Sequence, residues 1–229
     1  MKNILITGAN RGLGLGFTRH YLGAGHRVYA TARNPQQSTE FDELQRAFKN
    51  RFTALQLELT NERSIDALAP ALNGVELDLV INNAGMLPDQ AFGQWTSASF
   101  ETAFRVNASG PSMVAQALVP LMKKGSVLAN LSSGLGSCGL NINPETGLDA
   151  YAASKAALNM VTRRLAAKPE TRHITVVAFD PGWVKTRMGG EEAELTVDES
   201  IADLTATIER LTPDQSGLFL SRKGEPLPW

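Results

Sequence analysis

The chain has 229 residues, 43% of them apolar, and a net charge of −1 from 22 basic and 23 acidic residues. Its length and apolar content predict one domain with one sizeable core. The near-neutral charge predicts no nucleic-acid partner, and no apolar run approaches the roughly 18 residues that would cross a membrane. The single cysteine, Cys138, excludes an intramolecular disulfide and favours a reducing cytoplasm. The three histidines are too scattered for a metal site, so we expect none.

Strand-like and helix-like segments alternate along the chain. Apolar runs predict seven strands, at residues 3–7, 27–31, 52–57, 77–81, 126–131, 174–179 and 217–220. Helical patterns follow the first strand and recur at residues 41–48, 61–72, 97–122 (with a bend at Pro111), 150–167 and 196–211. The alternation predicts an α/β fold: a single doubly wound Rossmann-type domain over residues 1–229, with a seven-stranded, mostly parallel sheet and helices on both faces.

Small and polar residues follow five of these strands directly. They are residues 8–14, Arg33, residues 82–85, the pair Ser132 and Ser133, and residues 180–182. In a doubly wound sheet, ligands bind beyond the carboxyl ends of the strands. The sequence therefore predicts a ligand site at that edge.

The first of these segments is a glycine turn between a strand and a helix. Glycine lets backbone N–H groups approach a phosphate, and the helix N-terminus adds partial positive charge. The spacing after Thr7 is G-x-x-x-G-x-G, which differs from the dinucleotide fingerprint G-x-G-x-x-G. On its own the turn is weak evidence, because three glycines also fit a tight strand-to-helix connection.

Tyr151 and Lys155 lie four residues apart on a predicted helix, so they share one face. An ammonium group near a phenol favours the phenolate and lowers its pKa, as proton transfer requires. Ser133 offers a hydroxyl to a substrate oxygen, and Asn107 could hold a water that links Lys155 to solvent. Taken alone, the Tyr151–Lys155 pair is more simply an amphipathic surface pair.

Several motifs in order resemble the short-chain dehydrogenase/reductase family. They are TGANRGLG at residues 7–14, NNAG at 82–85, Asn107, Ser133, YAASK at 151–155 and DPG at 180–182. The resemblance spans nearly the whole chain. Within the family, residues 181–190 and 217–229 are most similar to the small carbonyl-reductase-like branch that includes C-factor and sniffer proteins.

The resemblance implies an NADPH-dependent enzyme that reduces an aldehyde or ketone to an alcohol by hydride transfer. Tyr151 would be the general acid/base, and Lys155 would lower its pKa and hold the nicotinamide ribose. Ser133 would position the carbonyl, and Asn107 would support a proton relay. The implied cofactor contacts are Gly8, Asn10, Arg11, Gly12, Leu13, Gly14, Arg33, Glu58, Leu59, Asn83, Ala84, Gly85, Tyr151, Lys155, Pro181, Gly182, Val184 and Thr186. At Glu58 the family often has aspartate.

The cofactor preference follows from the end of the second predicted strand. An NAD-preferring fold places a carboxylate there for the ribose 2′-hydroxyl, whereas this chain has Arg33. Arg33 and Arg11 are suited to a 2′-phosphate, which favours NADP(H) over NAD(H). An NAD-linked alcohol dehydrogenase and a cofactor-binding regulatory protein of C-factor type with little turnover are the alternatives.

The substrate side is predicted from three short loops at about residues 86–96, 134–149 and 187–197. Its apolar wall would comprise Leu87, Leu135, Leu140, Trp183 and Met188, which suits an apolar carbonyl compound. We predict that Cys138 is an ordinary loop residue, because no histidine lies near it in the sequence to activate a thiol. By the family resemblance, the helices at 97–122 and 150–167 would pair copies into a homodimer or homotetramer.

Overall fold

A computed structural model describes residues 1–229 and contains one seven-stranded sheet. Its strands are β1 (Asn3–Ile6), β2 (Arg27–Ala32), β3 (Phe52–Gln56), β4 (Leu77–Asn82), β5 (Met122–Leu131), β6 (Thr175–Asp180) and β7 (Phe219–Ser221). The order across the sheet is β3-β2-β1-β4-β5-β6-β7, and every neighbouring pair is parallel. The predicted doubly wound fold is confirmed, with an all-parallel sheet. The order reverses between β1 and β4, where such folds bind ligands.

Helices connect these strands. They are α1 (Gly12–Gly23), α2 (Thr39–Phe48), α3 (Glu62–Asp66), α4 (Leu68–Ala71), α5 (Ser97–Phe104), α6 (Gly110–Leu118), α7 (Asp149–Ala166) and α8 (Val197–Arg210). None of them combines the length and the apolar character that crossing a membrane requires.

The sheet is buried on both faces, as a parallel sheet requires. Side chains alternate along β1, so Ile4 and Ile6 join one apolar cluster and Leu5 joins the other. The first cluster includes residues of α1, α2 and α8, and the second includes residues of α3, α4 and α6. The two apolar clusters hold the sheet between layers of helices, and this packing fixes the ends of the strands that carry the site.

The predicted helix at 97–122 is interrupted, but at a different place and in a different way from the predicted bend. The irregularity is a π-helical turn at Arg105–Ser109, one turn before the predicted bend at Pro111. Gly110 packs tightly against the segment after β3, since a Cβ there would lie 2.8 Å from the Leu59 Cβ and 3.0 Å from the Arg105 carbonyl. This packing fixes the start of α6, and the widened turn buries Asn107.

Two other boundaries also differ. The predicted helix at 61–72 is two short helices, α3 and α4, and the Asn61 side chain caps neither of them. Strand β5 begins at Met122 rather than at residue 126, because Met122 pairs with Leu77; the β4–β5 register then shifts between Leu77 and Leu79. The predicted part of β5 is its regularly paired part, from Val127 onward.

Candidate active site

The glycine turn after β1 is shaped so that no side chain fits. Gly8 has a φ of +62°, and a Cβ there would lie 2.9 Å from the Ala84 Cα. At Gly14 a Cβ would collide with the Gly8 carbonyl and lie 2.5 Å from Asn83 Nδ2. Helix α1 begins at Gly12 with no side-chain cap and no acidic residue in its first turn. Its first N–H groups are therefore open to an anion, and a phosphate is a group that such a helix start can bind.

The NNAG segment after β4 is tied to this turn. The Thr7 hydroxyl accepts hydrogen bonds from the backbone N–H groups of Asn83 and Ala84, both at 3.0 Å. Asn83 Nδ2 donates to the carbonyls of Thr7 at 2.8 Å and Gly8 at 3.0 Å. The amide nitrogen of Asn83, a predicted cofactor contact, therefore joins the ends of β1 and β4. The sequence analysis included Thr7 in the TGANRGLG motif but did not predict that its hydroxyl binds the NNAG segment.

Arg33 stands directly after β2, and its side chain is 71% exposed, so an anion from solvent can reach it. Its Nε lies 4.0 Å from Glu58 Oε2. Glu58 Oε1 accepts hydrogen bonds from the backbone N–H of Thr60 at 3.2 Å and from its hydroxyl at 3.0 Å. Glu58 thus folds back on its own loop and faces Arg33. Arg11 is exposed at the start of α1.

Ser133, Tyr151 and Lys155 are brought together where β5 meets the start of α7. Tyr151 and Lys155 are both buried, with the Lys155 ammonium 5.7 Å from the centre of the phenol ring. Lys155 Nζ donates to the Leu131 carbonyl at 2.7 Å. The Ser133 side chain is close enough to the Tyr151 phenol to lower the pKa of that phenol. The two neighbouring serines differ, because the Ser132 hydroxyl is turned inward and donates to Asn159 Oδ1 at 2.6 Å.

Burial is the largest cause of the pKa shifts of Tyr151 and Lys155. It raises the pKa of Tyr151 to about 12, against a lowering by the hydrogen bond with Ser133 and with a further rise from the charge of Asp180. Burial lowers the pKa of Lys155 to about 8. The net lowering of the phenol pKa that the sequence suggested is therefore wrong for the protein alone. Tyr151 is protonated at neutral pH, as a general acid must be.

Asn107 lies in the π-helical turn and is fully buried. Its Oδ1 accepts from the Met86 backbone N–H at 2.9 Å, and its Nδ2 donates to the Met86 carbonyl at 2.8 Å and to Ser154 Oγ at 2.9 Å. The side chain therefore joins the loop after β4 to α7. A Cβ on Gly85 would lie 3.3 Å from Asn107 Oδ1 and 3.7 Å from Lys155 Nζ, so Gly85 keeps open the space beside both groups.

The loop after β6 closes the site from the side of α8. Thr186, a predicted cofactor contact, lies beside the glycine turn, since its Cγ2 would be 3.4 Å from a Cβ on Gly12. Val184 pairs with Leu195, and the Pro181 carbonyl accepts from the Ser200 hydroxyl at 2.8 Å. These bonds hold the predicted contacts Pro181, Gly182, Val184 and Thr186 in one ordered segment.

The predicted apolar wall lies on the rim of the same edge. Leu140, Trp183 and Met188 are exposed, and Leu87 and Leu135 are half-buried. Ile142 was predicted only as part of the loop at 134–149, and its Cδ1 would lie 2.9 Å from a Cβ on Gly134. The sequence analysis assigned no role to Asp180, which lies beside the same glycine. The DPG motif was the available signal for Asp180, whereas Ile142 carries none.

The fold is of the doubly wound Rossmann type, and the carboxyl edge of its sheet brings together a glycine turn, a buried tyrosine and a buried lysine. The chain matches the family described as short chain dehydrogenase over residues 2–196, and it belongs to that family of oxidoreductases. It is 36% identical over 156 residues to the C-signal protein of Myxococcus xanthus, covering 67% of this chain and 93% of that protein. The predicted family is thereby confirmed.

Two solved structures are similar over the full chain. An NADPH-bound carbonyl reductase from chicken fatty liver is 34% identical with a TM-score of 0.92, covering 100% of this chain and 99% of that one. The carbonyl reductase Sniffer of D. melanogaster is 33% identical with a TM-score of 0.91, covering 100% of both chains. The predicted carbonyl-reductase-like branch is confirmed by these neighbours.

Proposed function

We propose that this protein is an NADPH-dependent carbonyl reductase that converts an apolar aldehyde or ketone to an alcohol. The observation that carries the proposal is the convergence of Ser133, Tyr151 and Lys155 on the sheet edge where the glycine turn forms its anion site. The carbonyl reductases among the structural neighbours support the choice of substrate class.

The residues present fit a nicotinamide dinucleotide. Gly8, Gly12 and Gly14 leave room for a pyrophosphate against the uncapped start of α1. Around them, the other contacts we propose are Asn10, Leu13, Leu59, Asn83, Ala84, Gly85, Val184 and Thr186. When bound, the reduced nicotinamide supplies the hydride that reduces the carbonyl carbon.

Each catalytic side chain has a separate task in this proposal. The Ser133 hydroxyl donates a hydrogen bond to the carbonyl oxygen as negative charge develops on it. The protonated Tyr151 phenol gives its proton to that oxygen, which completes the alcohol. The Lys155 ammonium then stabilises the phenolate and holds the nicotinamide ribose. Asn107 fixes the loop beside Lys155, and through it we propose the path that returns a proton to Tyr151.

The test is a turnover assay on the purified protein with NADPH and a panel of aldehydes and ketones. We expect NADPH oxidation only in the presence of a carbonyl, with one alcohol formed per NADPH consumed. Tight NADPH binding without alcohol formation across a broad panel of apolar carbonyls would overturn the reductase assignment.

We further propose that Arg33 and Arg11 select NADPH through the 2′-phosphate. Replacing Arg33 by aspartate should lower the NADPH/NADH ratio of kcat/KM roughly 100-fold, because a charge-assisted interaction is lost and a repulsion replaces it. The ratio is measured with both cofactors at one saturating carbonyl concentration.

The matched control is Arg172→Asp, which changes an exposed arginine before β6, at the opposite edge of the sheet. It should leave the cofactor ratio unchanged. A ratio that is the same in Arg33→Asp as in the wild type would remove Arg33 from the cofactor site, whatever the total activity.

A regulatory role is the second candidate, and one observation favours it. The relative in Myxococcus xanthus is named C-signal, which describes a signal and not a reaction. The buried Tyr151–Lys155 pair argues for turnover, since a protein that only binds a dinucleotide gains nothing from a buried ammonium beside a phenol. The turnover assay above separates the two candidates.

We also propose that copies pair through α5, α6 and α7 as a homodimer or homotetramer. Three large apolar side chains are exposed on these helices: Phe104, Met113 and Met160. Such residues are enriched in interfaces between subunits. Sedimentation that shows only monomer at micromolar concentration would exclude this assembly.

The free and exposed Cys138 supports the cytoplasm as the location.

A further inference from the structure

The last four residues of the sequence, 226–229, lie against the loop that follows Ser133. The Gly139 backbone N–H donates to the Trp229 carbonyl at 2.7 Å. The Ser137 hydroxyl donates to the Pro228 carbonyl at 2.6 Å and accepts from the Leu140 N–H at 3.1 Å. A Cβ on Gly139 would lie 3.1 Å from Pro228 Cβ, so the two backbones are in close contact.

The same four residues are anchored to the rest of the fold. Leu227 donates its N–H to the Phe219 carbonyl at 2.8 Å, which fixes the segment beside β7. The Trp229 ring stacks on the buried Phe219 ring with 5.9 Å between centroids. The Arg163 guanidinium, on α7, lies 5.7 Å from the centre of the Trp229 ring. One aromatic side chain thus joins β7 and α7.

The loop between the anchor and the catalytic serine is short and well bonded. The Ser133 hydroxyl accepts from the Leu135 N–H at 3.2 Å, and the Gly136 N–H donates to the Ser133 carbonyl at 2.9 Å. Asn159 Nδ2 donates to the Gly136 carbonyl at 3.1 Å. A Cβ on Gly136 would lie 2.7 Å from the Lys155 Cβ, so this turn sits directly on α7. Residues 133–137 therefore move together, so a shift at Ser137 also moves the Ser133 hydroxyl.

We infer that residues 226–229 form a strap that positions the Ser133 loop on α7. Through Ser137 and Gly139 the strap fixes the orientation of the Ser133 hydroxyl, and it sets where Leu135 and Leu140 of the apolar wall stand. Trp229 is a positioning residue, because its ring contacts Phe219 and Arg163 and its carbonyl accepts from the Gly139 N–H. The inference rests on the proposed function for its effect on turnover, but the contacts themselves are independent of it.

The first test needs no activity. In Trp229→Ala, hydrogen exchange of the Gly139 and Leu140 amides should become at least about tenfold faster, because both lie in the strapped loop. Trp229→Phe keeps an aromatic ring between Phe219 and Arg163, so it should restore most of the protection. Unchanged exchange at both amides in Trp229→Ala would overturn the strap, whether or not the protein is a reductase.

The second test joins the strap to catalysis. Trp229→Ala should lower kcat/KM for the carbonyl about tenfold, mainly through KM, and leave the Kd of NADPH within about twofold, because the glycine turn lies away from the strap. Trp229→Phe should recover most of kcat/KM. Ser137→Ala removes the link to Pro228, and combining it with Trp229→Ala should add little, since both break one connection.

The matched control is Phe48→Ala. Phe48 also carries an arginine against its ring, Arg51 at 5.3 Å, but it ends α2 at the other edge of the sheet. It should lower the melting temperature without raising the KM of the carbonyl. If Trp229→Ala and Phe48→Ala lower stability alike and both keep the wild-type KM, the strap has only a structural role and the positioning inference fails.

Discussion

Tyr151→Phe should abolish carbonyl reduction while leaving cofactor binding intact. The substitution removes only the hydroxyl that gives its proton to the substrate oxygen. Because a well-placed general acid contributes 10²–10⁴-fold, we expect kcat/KM to fall by about 10³-fold. The Kd of NADPH, measured by fluorescence titration, should stay within about twofold of the wild type, because the phosphate site is formed by the glycine turn.

The chain offers a matched control in Tyr21. Its hydroxyl is buried with no hydrogen-bond partner, and it lies in α1 away from the catalytic group. Tyr21→Phe should keep full activity and lose no stability, because it removes an unsatisfied polar atom. Turnover that survives Tyr151→Phe at the wild-type rate would exclude the proposed acid in both the reductive and the oxidative direction.

Lys155→Met should separate activity from stability. The substitution removes the ammonium that we assign to the ribose and to the phenolate, so kcat/KM should fall by about 100-fold or more. At pH 7 the variant should nevertheless be more stable to urea than the wild type, because the wild type buries a charged group there. Unfolding is measured on the protein without cofactor at pH 7 and pH 9.5.

The sign of the pH dependence follows from the lowered pKa of Lys155. Between its folded pKa of about 8 and the ordinary value of 10.5, the unfolded chain holds the proton and the folded chain does not. Wild-type stability therefore gains from this group as the pH rises through that range, and the advantage of Lys155→Met should narrow by about 2 kcal/mol between pH 7 and pH 9.5.

An exposed lysine serves as the control for this titration. Lys168 lies two residues beyond the end of α7 and is exposed, so the stability difference between Lys168→Met and the wild type should not change with pH by this amount. An advantage of Lys155→Met that stays constant or widens as the pH rises would contradict the burial of a charged ammonium at this position.

Sequence reasoning placed Ser133, Tyr151 and Lys155 together because the signals for their positions are local. Tyr151 and Lys155 share a helix face by their spacing, and Ser133 follows the end of a strand whose register places it at the same edge. The glycine turn was also predicted from local sequence, namely the glycines that follow β1. The structure explains them, because a Cβ at Gly8 or Gly14 would collide with neighbouring atoms.

What the sequence did not show depends on burial and on distant contacts. The pKa of Tyr151 is set first by desolvation, which spacing does not reveal, so the expected direction was wrong. The bond between Ser137 and Pro228 joins positions 91 residues apart, and nothing local to either residue marks it. The break before α6 likewise depends on contact between Gly110 and Leu59, from another part of the chain.

The most direct test of the account follows the hydride. The wild-type protein is incubated with an apolar aldehyde or ketone that it turns over and with NADPH that carries deuterium at both C4 positions of the nicotinamide. We predict an alcohol with one deuterium on the former carbonyl carbon, formed in equal amount to the NADP⁺, and no such product from Tyr151→Phe within the same time. An alcohol without deuterium, or equal product from both proteins, would contradict it.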